Sequence, residues 1–378
     1  MTMRCAFLAA CAILLAAPLQ AQTPADSGAF VARLGSDTTS LERYVLHVDR
    51  LEAEVISRVP SVTVSRLAIR WKPDGLLTGV EVVSRPPDAP AGAPPTRRTR
   101  ITFGGDSATV ETTQDGESRT RRIAGRADMV PLVGGFYSPY ELLLARARGT
   151  GRASVDLTVL GGDVYTVRRE GPGAVTIVDE TFGERSVRVG PDGRLLSFQA
   201  VGSPQGTIVE RVAWFDLDAV ARSLAGRGLG PLSPRDTVRA AFAGANLLVD
   251  YSRPSKRGRL VFGGLVPWNE VWRTGANRAT HFQTDRDLVI GGATVPAGTY
   301  TLFTLPSPSG WKLIINRQTD QGGLSYDASQ DLARVDLRVE ETSPPVETFT
   351  IALEETAGGG VLKLAWDRTV ASVPFQVP

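Results

Sequence analysis

Two histidines, His47 and His281, stand in the 378 residues. That scarcity rules out a multi-histidine metal centre within one chain and leaves few ways to build an acid–base relay. His281 follows the run Trp272-Arg273-Thr274-Gly275-Ala276-Asn277 at the start of an expected strand, where one imidazole can act as a general base or close a strand edge. A second run, Tyr251 to Arg259, gathers Arg253, Lys256, Arg257 and Arg259 around Pro254 and Gly258. Guanidinium forks suit carboxylate, phosphate or sulfate groups, although a basic turn of this kind also pairs readily with neighbouring Asp or Glu.

Trp268 and Trp272 lie between these two runs with Asn269, Glu270, Arg273 and Asn277. Aromatic surface beside donors and acceptors suits a small polar ligand. The candidate ligand-binding set is therefore Arg253, Lys256, Trp268, Trp272, Arg273, Asn277 and His281. Glu270 with Asp285 or Asp287 is a candidate carboxylate pair for glycoside cleavage, with no spacing in the sequence that fixes their separation. Asp320, Asp327 and Asp331 flank glycines without the alternating ligands of a compact calcium loop, so no metal site is assigned. The chain lacks a G-x-S-x-G elbow, a phosphate-cradling G-x-x-x-x-G-K-[ST] and a G-x-G-x-x-G between strand and helix, and no cofactor is expected. With 42 basic against 40 acidic residues, bulk attraction to nucleic acid is not indicated.

The elements that must position these residues read mostly as β. Thr39-x-x-Glu42 resembles a capping box, and Leu41, Tyr44, Val45, Val48, Leu51 and Val55 recur at helical spacing, which predicts a helix over 40–57 carrying His47 on its polar face. From Val62 to Trp214 the period changes to two, with strands expected near 62–71, 77–84, 98–104, 107–113, 153–160, 163–169, 174–179, 185–189, 194–200 and 207–214. A helix opened by Ser138-Pro139-Tyr140-Glu141 and ended at Gly149 interrupts them, with Ser138 as cap and Glu141 reaching back. Arg85 to Pro95 reads as a long exposed loop, and a helix over about 216–225 precedes a glycine- and proline-rich linker, 226–234. Beyond it, alternation at Val335, Leu337 and Val339, at Phe349, Ile351 and Leu353, and at Leu362, Leu364 and Trp366 predicts sheets with one buried face. Trp311 and Trp366 fit core positions. The fold class is mainly β: an antiparallel meander or half-barrel with a few helices over 38–225, then a β-sandwich over 235–378.

Arg4, the apolar stretch from Ala6 to Ala17, Pro18 and Ala21 before Gln22 read as a secretory signal peptide, residues 1–21, with a periplasmic or secreted destination. Lipid anchoring at Cys11 is the competing reading. Both cysteines, Cys5 and Cys11, lie inside that segment, so the mature chain would carry no thiol and its core alone would hold it. No later segment is apolar for long enough to be expected to span a bilayer as a helix.

The segment from about Ser233 to Pro378 resembles the bacterial family catalogued as domain of unknown function 2911. The resemblance rests on Tyr251-Ser252-Arg253-Pro254-Ser255-Lys256-Arg257-Gly258-Arg259, on Trp272 to Asn277, on Val295-Pro296-Ala297-Gly298-Thr299-Tyr300-Thr301-Leu302-Phe303 and on Trp311-Lys312-Leu313-Ile314-Ile315-Asn316. The sequence departs from the family's pattern at Arg278, where an acidic residue is usual, and at Gly322, where a tryptophan is usual. The resemblance implies an exported all-β unit and assigns no chemistry. Residues 38–225 are similar, at the level of fold alone, to the half-barrels that chaperone lipoproteins in the periplasm.

Three functions follow as expectations. The first is a binding or envelope-associated module for a small polar or anionic ligand. The second is a hydrolase using His281 or a carboxylate pair. The third is a carrier of apolar molecules within the N-terminal half-barrel.

Overall fold

The computed structural model describes residues 26–378 apart from 91, 181–182, 202–205 and 320. The expected signal segment and Asp320 lie outside these residues. Fourteen strands make the first sheet: β1 Ser27–Leu34, β2 Asp37–Leu46, β3 Arg50–Ser57, β4 Thr63–Trp71, β5 Leu77–Arg85, β6 Arg97–Gly104, β7 Ser107–Gln114, β8 Glu117–Ala124, β9 Ser154–Thr158, β10 Val164–Gly171, β11 Ala174–Asp179, β12 Gly183–Val189, β13 Leu195–Ala200 and β14 Thr207–Val212. Helix α1, Pro139–Gly149, separates β8 from β9, and α2, Leu217–Leu224, follows β14. The sheet runs from β8 back to β1, crosses to β14 and continues back to β9, antiparallel throughout. Its two edge strands approach each other at the antiparallel bridge between Ala124 and Gly161.

Cross-strand partners show how one face of this sheet is graded. One row reads Glu42, Val55, Ser65, Ser84, Arg97 and Gln114 from β2 to β7. Four residues along each strand, the row Leu46, Leu51, Ile69, Val80, Ile101 and Val110 is apolar. The apolar end is filled from within by Phe136 and by Leu143, Leu144 and Ala147 of α1, which join the same core. Opposite residues share a face of the sheet, so a polar end and a packed apolar end follow directly from the sequence of each strand. On the other face, Leu217 and Ala221 of α2 cover Ile56 and Val64 in a smaller cluster.

The expected helix over 40–57 is instead the β2–β3 hairpin. Ser40, Glu42 and Tyr44 on β2 and Leu51, Ala53 and Val55 on β3 are buried at alternate positions. Two of the inward residues of β2 are polar, so the period of two is hidden, and the helical pattern arose from mixing apolar residues of both faces. His47 sits in the connection and approaches Glu52 at 3.3 Å. Ahead of the first expected element, residues 27–34 form β1, a central strand between β2 and β14. The remaining strands expected between 62 and 214, and both later helices, are present within a few residues of the expected bounds.

The second sheet contains β15 Arg235–Phe242, β16 Ala245–Ser252, β17 Thr280–Thr284, β18 Leu288–Ile290, β19 Ala293–Val295, β20 Gly298–Leu305, β21 Trp311–Asn316, β22 Asp331–Thr356 and β23 Gly359–Gln376. Their order is β15-β16-β17-β20-β21-β22-β23-β18-β19. The start of β22 pairs with β21 and its remainder with β23, whose end pairs with β18. These two long strands carry the sheet from one layer to the next. Val249, Phe282, Leu302 and Leu313 from one end of the strand order share a core with Ile290, Val295, Leu364 and Phe375 from the other. Trp311 and Trp366 are both buried in that core, as their strand periodicity predicts. No helix among the described residues is long and apolar enough to cross a membrane.

Candidate functional site

The basic run after β16 is held by the protein itself. Arg253 donates from Nε to the Phe349 carbonyl (3.2 Å), from Nη1 to Asp236 (3.1 Å) and from Nη2 to Thr350 Oγ1 (2.9 Å). Lys256 pairs with Asp367, and Arg259 donates to the carbonyls of Ser255 and Lys256. Arg257 pairs with Asp37 of β2, while its carbonyl accepts from the Ser36 amide at 2.9 Å. Two of the seven candidate residues, Arg253 and Lys256, thus bind β15, β22 and β23 together.

The aromatic candidates divide in the same way. Trp272 is half-buried, stacks on Trp366 with ring centres 5.8 Å apart, lies 5.0 Å from Phe349 and donates from Nε1 to the Gly275 carbonyl. Trp268 is partly exposed and leans on Phe262. Both cap the core, and no contact joins either of them to His281.

Arg273, Asn277 and His281 border a different feature, residues 317–319 and 321–327 between β21 and β22. Arg278 bridges Gly322, and a Cβ at Gly323 would sit 2.3 Å from the Asn277 carbonyl and 2.9 Å from Arg273 Cδ. Gln321 donates to Thr301 Oγ1 (3.1 Å), and Thr301 donates to the Gln318 carbonyl (2.6 Å). This segment therefore covers the outward side of β17 and β20. It explains why Tyr300 to Leu305 is apolar or buried on both faces. Arg278 and Gly322, the two positions singled out in the sequence as departures from the resemblance, are the bridge partners themselves.

Arg273 is half-buried, yet it has no carboxylate partner among the described residues. Its hydrogen bond is a 3.4 Å contact with the Asn277 carbonyl. Burial holds its pKa below the ordinary arginine value. His281 stands between Asp250 of β16 and Thr301 of β20 in the cross-strand register. Burial lowers its pKa, Arg235 and Arg278 add to that, and Asp250 opposes them. An acid, an imidazole and a hydroxyl in one row suggest a relay, but the hydrogen bonds run elsewhere. Asp250 accepts from Arg235 (2.7 Å), Thr301 donates to a carbonyl, and His281 Nε2 is buried without a partner. Gln318 Oε1 and Gln321 Oε1 are likewise buried and unpartnered.

The carboxylate pair is not assembled. Asn269 is bonded to Pro306, beyond one end of β20, which places Glu270 there, whereas Asp287 caps the turn before the other end by accepting from the Ala297 amide. The eight residues of β20 hold them apart by about 23 Å, far outside the range of either glycosidase geometry. Asp285 is engaged with Asn246. Among the described residues no group of three or more His, Cys, Asp or Glu is placed to hold a metal.

Sequence reasoning missed the buried polar network around α1. Glu42 of β2 accepts hydrogen bonds from the amides of Tyr137 (2.6 Å) and Ser138 (2.9 Å), at the N-terminus of the helix. It is fully buried, and that burial raises its pKa to about 7 against the pull of the two amides. Glu141 accepts from Tyr44 Oη (2.8 Å), from the Leu195 amide (3.2 Å) and from Arg211. Ser138 Oγ makes no cap bond. Local capping was the expectation; a strand carboxylate does that task because it can reach the helix N-terminus from the sheet.

Above α1 the polar end of the N-terminal sheet borders an open cavity of about 590 Å³, lined by residues of β1 to β6, β8 and β14, the loop before α1, and Leu232. Arg97 and Arg121 also line a second, outer hollow of about 830 Å³ along β6 to β8.

No curated protein matches the chain. A solved structure of a DUF1089 family protein from Pseudomonas aeruginosa is similar at 14% identity over 43% of this chain and 90% of that one, with a TM-score of 0.29. Residues 233–375, which contain β15 to β23 and the whole Arg273–His281 margin, match the family described as "Protein of unknown function (DUF2911)".

Proposed function

We propose that the chain is an exported binding protein whose C-terminal sandwich takes up a small anionic ligand at the margin formed by Arg273, Arg278, His281, Gln318 and Gln321. The observation that carries this reading is Arg273. A half-buried guanidinium with no carboxylate beside it is costly to keep, and an anion supplying the missing partner would recover that cost. Exposed Arg278 adds positive potential, and the unpartnered His281 Nε2 donates in the tautomer that carries its proton there, whereas Gln318 Oε1 and Gln321 Oε1 only accept and so serve a ligand hydroxyl rather than its charge. The earlier hydrolase reading has less behind it, because neither Asp250 nor Thr301 is bonded to His281 and the carboxylates stand far apart.

The test is calorimetric titration of the full chain with inorganic phosphate, sulfate and citrate. At least one of them should bind, and Arg273→Ala should weaken it about tenfold or more while the melting temperature without ligand stays unchanged. Arg253→Ala should do the reverse, lowering the melting temperature without a specific loss of affinity. If Arg273→Ala melts far below the parent and none of the three anions binds either protein, the arginine is structural and the proposal fails.

A further inference from the structure

The cavity at the polar end of the N-terminal sheet is independent of the margin just described. Its volume, about 590 Å³, lies in the range of small-ligand sites. Its composition is one-sided. Among the described residues its lining holds Arg97 and Arg121 and no Asp or Glu, while Asp115 and Glu117 line the outer hollow on the far side of the same two arginines. Among the described residues neither guanidinium takes part in an ion pair or a hydrogen bond, although Arg98, Arg100 and Arg119 on the same two strands each pair with a glutamate.

The remaining wall alternates hydroxyls with small apolar groups. Ser65 and Ser84 face each other across β4 and β5 with Oγ atoms 2.8 Å apart, and Thr99 stands with Thr112 at 3.2 Å on β6 and β7. Each pair shares one hydrogen bond and retains further acceptor and donor capacity. Val55, Val82 and Phe136 supply an apolar floor, and the deeper apolar part of the sheet is already occupied by α1. An apolar cargo would therefore find its natural seat filled and would have to lie against arginine and serine. That argues against the apolar-carrier reading of this half of the chain.

We infer that this cavity binds a small anionic polyhydroxylated molecule, of the class of sugar phosphates and sugar acids. Its charge is taken by Arg97 and Arg121, its hydroxyls by the serine and threonine rows, and its C–H faces by the valine and phenylalanine floor. The two arginines lie at the shared boundary of the cavity and the outer hollow, so the charged end of the ligand sits at the mouth and the polyol lies inside.

The experiment is titration calorimetry on the full chain with glucose 6-phosphate, galacturonate, glucose and inorganic phosphate. Glucose 6-phosphate or galacturonate should bind one per chain, and more tightly than glucose or phosphate by about tenfold or more. Arg97→Ala and Arg121→Ala, which remove exposed side chains without hydrogen bonds, should fold as the parent does and each weaken that binding by about tenfold. Ser84→Trp, which fills the cavity, should abolish it. Arg273→Ala should leave it intact, which separates this site from the C-terminal one. The inference is overturned if, in the Arg273→Ala chain, neither anionic sugar binds at millimolar concentration, phosphate alone binds as tightly as glucose 6-phosphate, or binding survives both arginine substitutions.

Discussion

Arg257, in the turn after β16 of the second sheet, pairs with Asp37 at the start of β2 in the first. The Arg257 side chain is only 11% exposed and that of Asp37 31%. A sequence run that reads as a recognition loop is thus occupied in joining the two halves of the chain. A double-mutant cycle on Arg257→Ala and Asp37→Ala should return a coupling of about 1 to 2 kcal/mol, above the usual yield of an exposed pair. Urea unfolding of the four proteins gives that number, and additivity within about 0.3 kcal/mol would mean that the pair contributes nothing to the junction.

Gly35 makes the same junction intolerant of side chains. Its φ is +59°, and a Cβ there would stand 2.0 Å from the Arg257 carbonyl oxygen. Gly35→Ala should destabilise the protein by about 2 kcal/mol or more, combining left-handed strain with a backbone collision. Gly75, also left-handed but with open space around it, is the control, and Gly75→Ala should cost about 1 kcal/mol. Equal losses for the two would show that the junction opens without penalty.

Glu42 gives a pH signature. Its folded pKa of about 7 lies above the ordinary value of 4.5, so the folded state holds more protons between those values. Its contribution to stability is full below pH 4.5 and is lost as the pH rises through about 7. The whole effect is of the order of 3 kcal/mol. Glu42→Gln does not titrate, so the stability of the parent relative to this variant should fall across that window. Parallel pH profiles for the two proteins would refute the assignment.

The buried pair Asp179 and Arg185 faces α1 from the other half of the first sheet, with side chains 1% and 7% exposed. Asp179→Ala takes the carboxylate away from a buried guanidinium and should cost about 3 to 5 kcal/mol, measured by chemical denaturation. A loss below about 1 kcal/mol would place the arginine in contact with solvent.

These residues also show where the sequence could and could not be read. Strands with apolar residues on one face announced themselves, because burial on one side of a pleated sheet writes a period of two. β2 did not, since Ser40 and Glu42 point inward to meet a helix almost a hundred residues later. Ser138 and Glu141 matched a local capping box, yet their partners come from distant strands. Arg253 and Lys256 looked available because their carboxylates, Asp236 and Asp367, are far away in the chain. The candidate cavity was invisible for the same reason. Its arginines and hydroxyls come one or two from each strand, and only the register brings them into line.

The split between β8 and β9 leaves β8 as an open border on the first sheet. A free strand of this kind offers its amides and carbonyls to any other extended chain. Here the border carries Arg119, Arg121 and Arg122, all exposed, and a second copy approaching edge to edge would bring like charges together. The arginines that face a ligand on one side of the strand therefore also discourage fibrous self-association, and neutralising them would trade both properties away at once.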